Sequence, residues 1–260
     1  MRAVAALARR SARSDTGRFL VEGPQAVREL LRYAAPSVVD LYVTAAARKR
    51  YAEVLASAHT AGCFVHDVND EVLAAMADAQ TPQGMLAVAQ QPEASVESVL
   101  ATGPRLLVLL QEVRDPGNLG TVIRAADAAG ADAVLVSSGS VDAFSPKVVR
   151  STAGSLFHLP VVTGLDAGAT VAAVEAHGIR TYATEGEAPT RLPDADLTHP
   201  HCWVMGTEAT GLPSDFAARC SERISIPIHG KAESLNLAMA ATICLYASAA
   251  SLPPRNPMSM

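Results

Sequence analysis

Short apolar runs alternate along the chain with segments whose apolar positions recur at helical spacing. Residues 19–23 (FLVEG) read as a strand ending in a turn, and 25–33 as a helix with Ala26, Val27, Leu30 and Leu31 on one face. Residues 37–44 (SVVDLYVT) form a second strand, 49–61 a helix and 63–65 a short strand. Asp67 or Asn69 caps a helix that runs to about Met76, and 85–90 closes the segment as a strand. Residues 1–14 read as a helical arm.

The second half opens on a continuous apolar run, 105–110 (RLLVLL), the pattern of a strand buried on both faces. Helices follow at 118–130, 145–151 and 169–177, and strands or extended segments at 133–136, 159–162, 179–183, 202–205 and 223–228. A long Ala-rich helix spans 234–250. This alternation predicts an α/β protein with a mostly parallel, doubly wound sheet and its site at the strands' C-terminal ends. The stretch 91–104, with two prolines and little pattern, marks a boundary. The expected organisation is an arm (1–14), a small α/β domain (15–92), a linker (93–104), a larger domain (105–252) and a tail (253–260).

The 49% hydrophobic and 18% charged composition excludes disorder as a description of the whole chain. The net charge of −5 argues against a nucleic-acid partner until it is divided. Residues 1–60 carry ten Lys/Arg against five Asp/Glu, and residues 61–260 eleven against twenty-one. Arg9, Arg10, Arg13 and Arg18, with Arg48-Lys49-Arg50, suit a phosphate-contacting surface; the alternative is a solvated, partly disordered arm. Four scattered cysteines without a CxxC pair, and histidines without ligand spacing, predict reduced thiols in a cytoplasmic protein and no metal site. No apolar run reaches transmembrane length, so no membrane association is expected. The Arg-rich start lacks the apolar stretch of a secretory signal.

Three loops follow buried strands. The first, 115–124 (DPGNLGTVIR), offers Asn118 and Arg124; its plain reading is an Asn helix cap and a surface arginine. The second, 206–213 (GTEATGLP), sets Glu208 between Gly206 and Gly211, whose small neighbours leave backbone N–H groups open to a ligand. The third joins 224–228 (ISIPI) to Ser234-Leu235-Asn236. Pro227 marks the strand's end, and Ser234 suits the cap of the last helix with Asn236 in its first turn. No GxGxxG, Walker, HExxH or GxSxG motif occurs.

In order and spacing these segments resemble the SpoU (TrmH) family of RNA 2′-O-ribose methyltransferases, of the SPOUT class. Residues 118–131 (N-GT-IR-A-A-GA), 206–211 (G-E--G) and 224–236 (I-S-I-P…SLN) are similar to its three motifs. The pattern F-VEG---V-E-L over 19–30 resembles its substrate-binding domain. Ala209, Ile228 and Ala238 depart from the residues most frequent there. The resemblance implies a C-terminal trefoil knot, an exception to the unknotted rule, an obligate homodimer, and S-adenosylmethionine as cofactor. It assigns catalysis or substrate positioning to Asn118, Arg124, Glu208, Ser234 and Asn236. Cofactor binding falls to Gly206, Gly211, Ile226, Pro227 and Leu235, while the charge of the arm, not the resemblance, makes Arg9, Arg10, Arg13 and Arg18 the expected RNA-binding residues. The expected substrate is a ribose of 23S rRNA, with tRNA as the alternative.

Methyl transfer to a ribose hydroxyl depends mainly on positioning. A guanidinium gives up its proton with difficulty, so Arg124 suits a phosphate or oxyanion clamp better than a base. Two other readings remain: a dinucleotide-dependent oxidoreductase, weakened by the absent GxGxxG, and a non-catalytic RNA-binding or ribosome-assembly factor, weakened by the full set of polar motif residues.

Overall fold

The computed structural model describes residues 1–207 and 210–253, and its contacts divide the chain into two compact units. The first holds Met1–Glu93 together with Asp142–His158; the second holds Ala94–Val141 and Leu159 onward.

The first unit begins with α1 (Arg2–Ala6), α2 (Arg10–Thr16), β1 (Arg18–Glu22), α3 (Pro24–Tyr33) and β2 (Val38–Thr44). It continues with α4 (Ala45–Arg50), α5 (Ala52–Thr60), β3 (Val65–Val68), α6 (Asp70–Met76) and β4 (Met85–Gln90). The sheet order is β1-β4-β2-β3, with β4 antiparallel to both neighbours and β2 parallel to β3. Leu20, Leu86 and Val88 of the sheet pack against Val4 and Leu7 of the N-terminal arm and Leu73 and Met76 of α6. The arm is therefore folded onto the sheet, because its two apolar side chains, three residues apart, share a helical face.

Arg13 corrects the sequence reading. It is 3% exposed, so it cannot meet a phosphate. Its Nη1 donates to the carbonyls of Leu7 and Ala8 at 2.7 and 2.8 Å, and its Nε and Nη2 donate to Asp142 at 2.8 and 2.5 Å. Arg9, Arg10 and Arg18 are exposed.

The second unit opens with α7 (Val96–Leu100), β5 (Leu106–Leu110), α8 (Pro116–Ala128) and β6 (Ala133–Ser137). Residues 95–100, expected as linker, are a helix with a Ser95–Ser98 capping box, whose Val96, Val99 and Leu100 enter the main core. The chain then returns to the first unit with α9 (Pro146–Ser151). There Phe144 lies 5.1 Å from Phe19, and Arg150 pairs with Glu22 and Asp78. Residues 142–158, grouped by sequence pattern with the second half, pack with the first because their anchoring groups face β1.

The second unit resumes with β7 (Val161–Leu165), α10 (Ala167–Ala176), β8 (Arg180–Glu185), β9 (Thr190–Arg191) and β10 (His201–Met205), then α11 (Ser214–Ala217), β11 (Glu222–Ser225) and α12 (Leu237–Ser251). Seven strands pair in the order β7-β6-β5-β10-β8-β11-β9, every pair parallel. Leu107 and Leu109 of β5 join a core with α7, α10 and α11, while α8 and α12 pack on each other, on β6 and on β10. Both faces being covered explains why β5, β6 and β10 are apolar at nearly every position and buried throughout. This is the expected α/β architecture with a parallel sheet. No helix among the described residues is long and apolar enough to cross a membrane.

Candidate active site

The site is built in the second unit from the loops that leave β5, β10 and β11. After β5, Gln111 N–H donates to Met205 O at 2.8 Å. Asp115 caps α8, its Oδ1 accepting from Asn118 N–H at 2.8 Å, with Pro116 in the first turn, where a missing N–H costs nothing. The helix thus starts two residues earlier than its pattern predicts, and Asn118 lies in its first turn. Arg124 is exposed further along α8 and forms no ion pair among the described residues.

After β11 the chain leaves the sheet at Ile226 and Pro227. Asn236, not Ser234, caps α12: its Oδ1 accepts from Ala238 and Met239 N–H at 2.9 and 3.3 Å. Ser234 lies exposed two residues upstream. An amide can accept the cap bonds and still donate, and Asn236 Nδ2 donates to Asn118 Oδ1 at 3.0 Å. The first and third loops are joined by that bond.

In the second loop, Thr207 and Gly211 exchange backbone hydrogen bonds of 3.2 and 3.0 Å. The hydroxyls of Thr207 and Thr210 stand 2.9 Å apart. A Cβ on Gly206 would fall 2.1 Å from Gly211 C and 2.3 Å from Leu212 N, so only glycine fits. Glu208 and Ala209 lie outside the described residues.

Two cavities share the wall formed by Thr207, Thr210 and Gly211. One, of about 330 Å³, is lined by Gly206, Ile226, Ile228, Leu235 and Leu237, with Ser234 and Glu233 on its polar side. It gathers Gly206, Gly211, Ile226, Leu235 and Ser234 from the expected set; Pro227 is not part of its lining. The other, of about 770 Å³, is lined by Gln111, Glu112, Arg114, Asp115 and Asn118. Arg124 lines neither.

Sequence reasoning missed Gln111 and Glu112. Gln111 Oε1 is buried without a partner among the described residues, and Glu112, at φ 50°, holds a left-handed backbone that a non-glycine rarely adopts. Its N–H is tied to Ser137 Oγ at 2.8 Å. Their place just past a fully buried strand, where ligands of parallel sheets bind, is the signal that could have found them.

The thiols are unsuited to nucleophilic chemistry. Burial pushes Cys202 and Cys244 well above the ordinary range and Cys220 up to about 11. No group of three His, Cys, Asp or Glu residues suited to a metal ion occurs among the described residues.

Residues 105–246 match the model of the SpoU rRNA Methylase family, and residues 1–87 match the MRM3-like substrate binding domain. The chain belongs to the SpoU rRNA Methylase family. Among relatives in or near this family, the Bacillus subtilis (strain 168) 23S rRNA (guanosine(2553)-2′-O)-methyltransferase RlmP is 34% identical, over 90% of this chain and 89% of its own. The 23S rRNA (uridine(2479)-2′-O)-methyltransferase of Streptomyces viridochromogenes is 32% identical, over 93% and 86%. The solved structure of the SpoU methyltransferase AviRb from Streptomyces viridochromogenes, in complex with the cofactor AdoMet, superposes with a TM-score of 0.83 at 31% identity, covering 96% of each chain. An AdoMet-bound rRNA methyltransferase from Sinorhizobium meliloti gives 0.82 at 29%, covering 95% and 92%.

Proposed function

We propose that the protein transfers a methyl group from S-adenosylmethionine to a ribose 2′-hydroxyl of 23S rRNA. The Asn118–Asn236 bond carries the reading, since it joins two of the family's motifs beside two adjoining cavities. The apolar cavity suits the cofactor: Ile226, Leu235 and Leu237 can sandwich an adenine, and the glycine-only approach at Gly206 leaves backbone polar groups within reach. When bound, the cofactor's sulfonium supplies an electrophilic methyl carbon.

The remaining tasks belong to the chain. The polar cavity with Asn118, Gln111 and Glu112 suits the incoming nucleotide. Asn236 holds the Asn118 amide in one orientation. Arg124 acts as a bidentate clamp on phosphate or developing oxyanion, and Ser234, Glu208 or water receives the hydroxyl proton late.

A homodimer follows in the same reading. Met239, Ile243 and Tyr246 recur at i, i+4 and i+7 on α12 and are 65%, 41% and 51% exposed. Such an apolar stripe suits a second copy's matching helix. Arg124, outside both cavities of its own chain, would then serve the partner's site. The trefoil knot and a cytoplasmic location belong to this reading through the family. The exposed Arg9, Arg10 and Arg18 supply phosphate contacts.

Incubation with labelled S-adenosylmethionine and 23S rRNA tests the reading. An alkali-stable labelled dinucleotide is expected, and its absence with bound RNA would leave a non-catalytic binding factor. Calorimetry with S-adenosylmethionine against NAD separates the oxidoreductase. In the same assay Arg124→Lys, which keeps charge but loses the fork, is expected to fall at least about tenfold; near wild-type turnover would remove the clamp.

A further inference from the structure

We propose that Phe64, His66 and Tyr42 form a stacking platform for an unpaired base of the RNA, on the sheet of the first unit. Tyr42 and His66 lie nearly parallel across β2 and β3, with centroids 4.7 Å apart and an interplanar angle of 12°. Phe64 meets His66 edge to face at 4.7 Å and 62°. The tier ends in solvent, for Phe64 is 68% exposed, whereas Phe19, Phe144 and Phe216 are buried. His66 is held from the side by Asp40, Nε2 to Oδ1 at 2.8 Å, so the ring is fixed before anything stacks on it.

The surroundings favour a polyanion over an apolar partner. Tyr42 packs at the edge of the cluster that seats α1, so the exposed Arg2 and Arg9 are carried by a segment docked on the same sheet face. β3 is an edge strand of the sheet, and Arg48 of α4 donates from Nε to Asp67 at 2.7 Å on the face opposite His66, since successive strand residues point to opposite faces. Lys49 and Arg50 follow it, both exposed. A flat exposed ring on a sheet face that also carries an arginine-bearing arm is the chemistry that holds single-stranded nucleic acid, where any base offers a π-face and arginine holds the backbone. A protein partner would not require a pre-stacked histidine tier beneath the exposed ring.

The proposal rests on the RNA reading above, and its test separates the two. Full-length Phe64→Ala, Phe64→Leu and Phe64→Trp are compared with wild type for methylation of a 23S rRNA fragment, cofactor affinity and melting temperature. Loss of one stacked base is expected to raise KM for RNA about tenfold with Phe64→Ala, with kcat, cofactor affinity and melting unchanged. Leucine, apolar but not flat, should behave like alanine, and tryptophan should stay within about twofold of wild type by the same stacking logic. An unaltered KM in Phe64→Ala, or a leucine variant equal to wild type, overturns the platform while active wild type preserves the RNA reading. Wild type that neither binds nor methylates RNA overturns both.

Discussion

Asn236 donates from Nδ2 to Asn118 Oδ1 at 3.0 Å while its own Oδ1 accepts from the N–H groups of Ala238 and Met239. The cap settles which end of the Asn236 amide is which, and so fixes the Asn118 carbonyl as acceptor. Asn236→Asp keeps the capping oxygen and adds a charge that the helix N-terminus favours, but it sets a second acceptor against Asn118. Its melting temperature should match or slightly exceed wild type, while kcat/KM for RNA falls at least about tenfold, the scale of a lost or repelled hydrogen bond. Asn236→Ala should lose the cap as well, about 1 kcal/mol, or roughly 2–4 °C for a chain of this size. Scanning fluorimetry beside the methylation assay checks both; an aspartate variant as unstable as the alanine one removes the cap argument.

Gly206→Ala should be far worse than an ordinary loop change. Its Cβ would meet backbone of Gly211 and Leu212, which cannot turn aside as a side chain can. Separation of the two segments breaks the Thr207–Gly211 pair. A loss of about 1–3 kcal/mol is expected from overpacking, together with loss of S-adenosylmethionine binding by calorimetry. A variant that binds the cofactor normally would detach the 330 Å³ cavity from the proposed role.

Legibility in the sequence followed burial. The strands β5, β6 and β10 announce themselves because burial on both faces leaves few polar positions. The motif glycines and Asn118, Ser234 and Asn236 stand out by spacing. The starts of α8 and α12 are not legible in the sequence because Asp115, Asn118, Ser234 and Asn236 are all good caps, and only tertiary partners choose among them. Arg13 is indistinguishable in sequence from Arg9 and Arg10. It is buried because Asp142, 129 residues away, meets it. The return of residues 142–158 to the first unit was hidden for the same reason, and α7 because five residues give too little periodicity.

That difference among the arm's arginines is measurable. Arg13→Ala leaves Asp142, 17% exposed, without its guanidinium and should cost about 3–5 kcal/mol, as breaking a buried pair does. The urea midpoint reads this. Arg9→Ala with Arg10→Ala should leave the midpoint unchanged. It should lower the slope of log binding constant against log salt by about 1–2, since each lost contact to RNA phosphate releases fewer counterions. An Arg13 variant of normal stability with a reduced slope would return that residue to the RNA surface.

Ile243→Glu in α12 tests the proposed homodimer. A charge in the centre of the exposed stripe has no partner on a symmetric copy except itself. Sedimentation should shift from dimer to monomer at micromolar concentration with the fold intact by circular dichroism. Monomeric wild type would remove the homodimer.

His201 gives the last expectation. It is fully buried, its Nδ1 is 2.7 Å from His199 O and its Nε2 is 2.7 Å from Ser248 Oγ. A carbonyl only accepts, so Nδ1 carries a hydrogen, and in the neutral ring Nε2 accepts from the Ser248 hydroxyl. Ser248 in turn accepts from Trp203 Nε1 at 2.8 Å. Burial lowers the His201 pKa below its ordinary 6.5, with the His199 carbonyl opposing more weakly. The unfolded chain then binds a proton that the folded one does not, so this contribution is whole above about pH 6.5 and is lost as pH falls below it. In His201→Phe, Ser248 can still accept from Trp203 and donate to Cys244 O, 3.0 Å away, so the network closes without the imidazole. Urea midpoints for wild type should fall more steeply between pH 7 and 5, an interval about the unperturbed histidine pKa, than those of the variant. Asp196, held at about 2 chiefly by its bonds from Thr198, acts only below that interval and does not blur the comparison. Parallel curves would mean that His201 does not set the acid sensitivity of the fold.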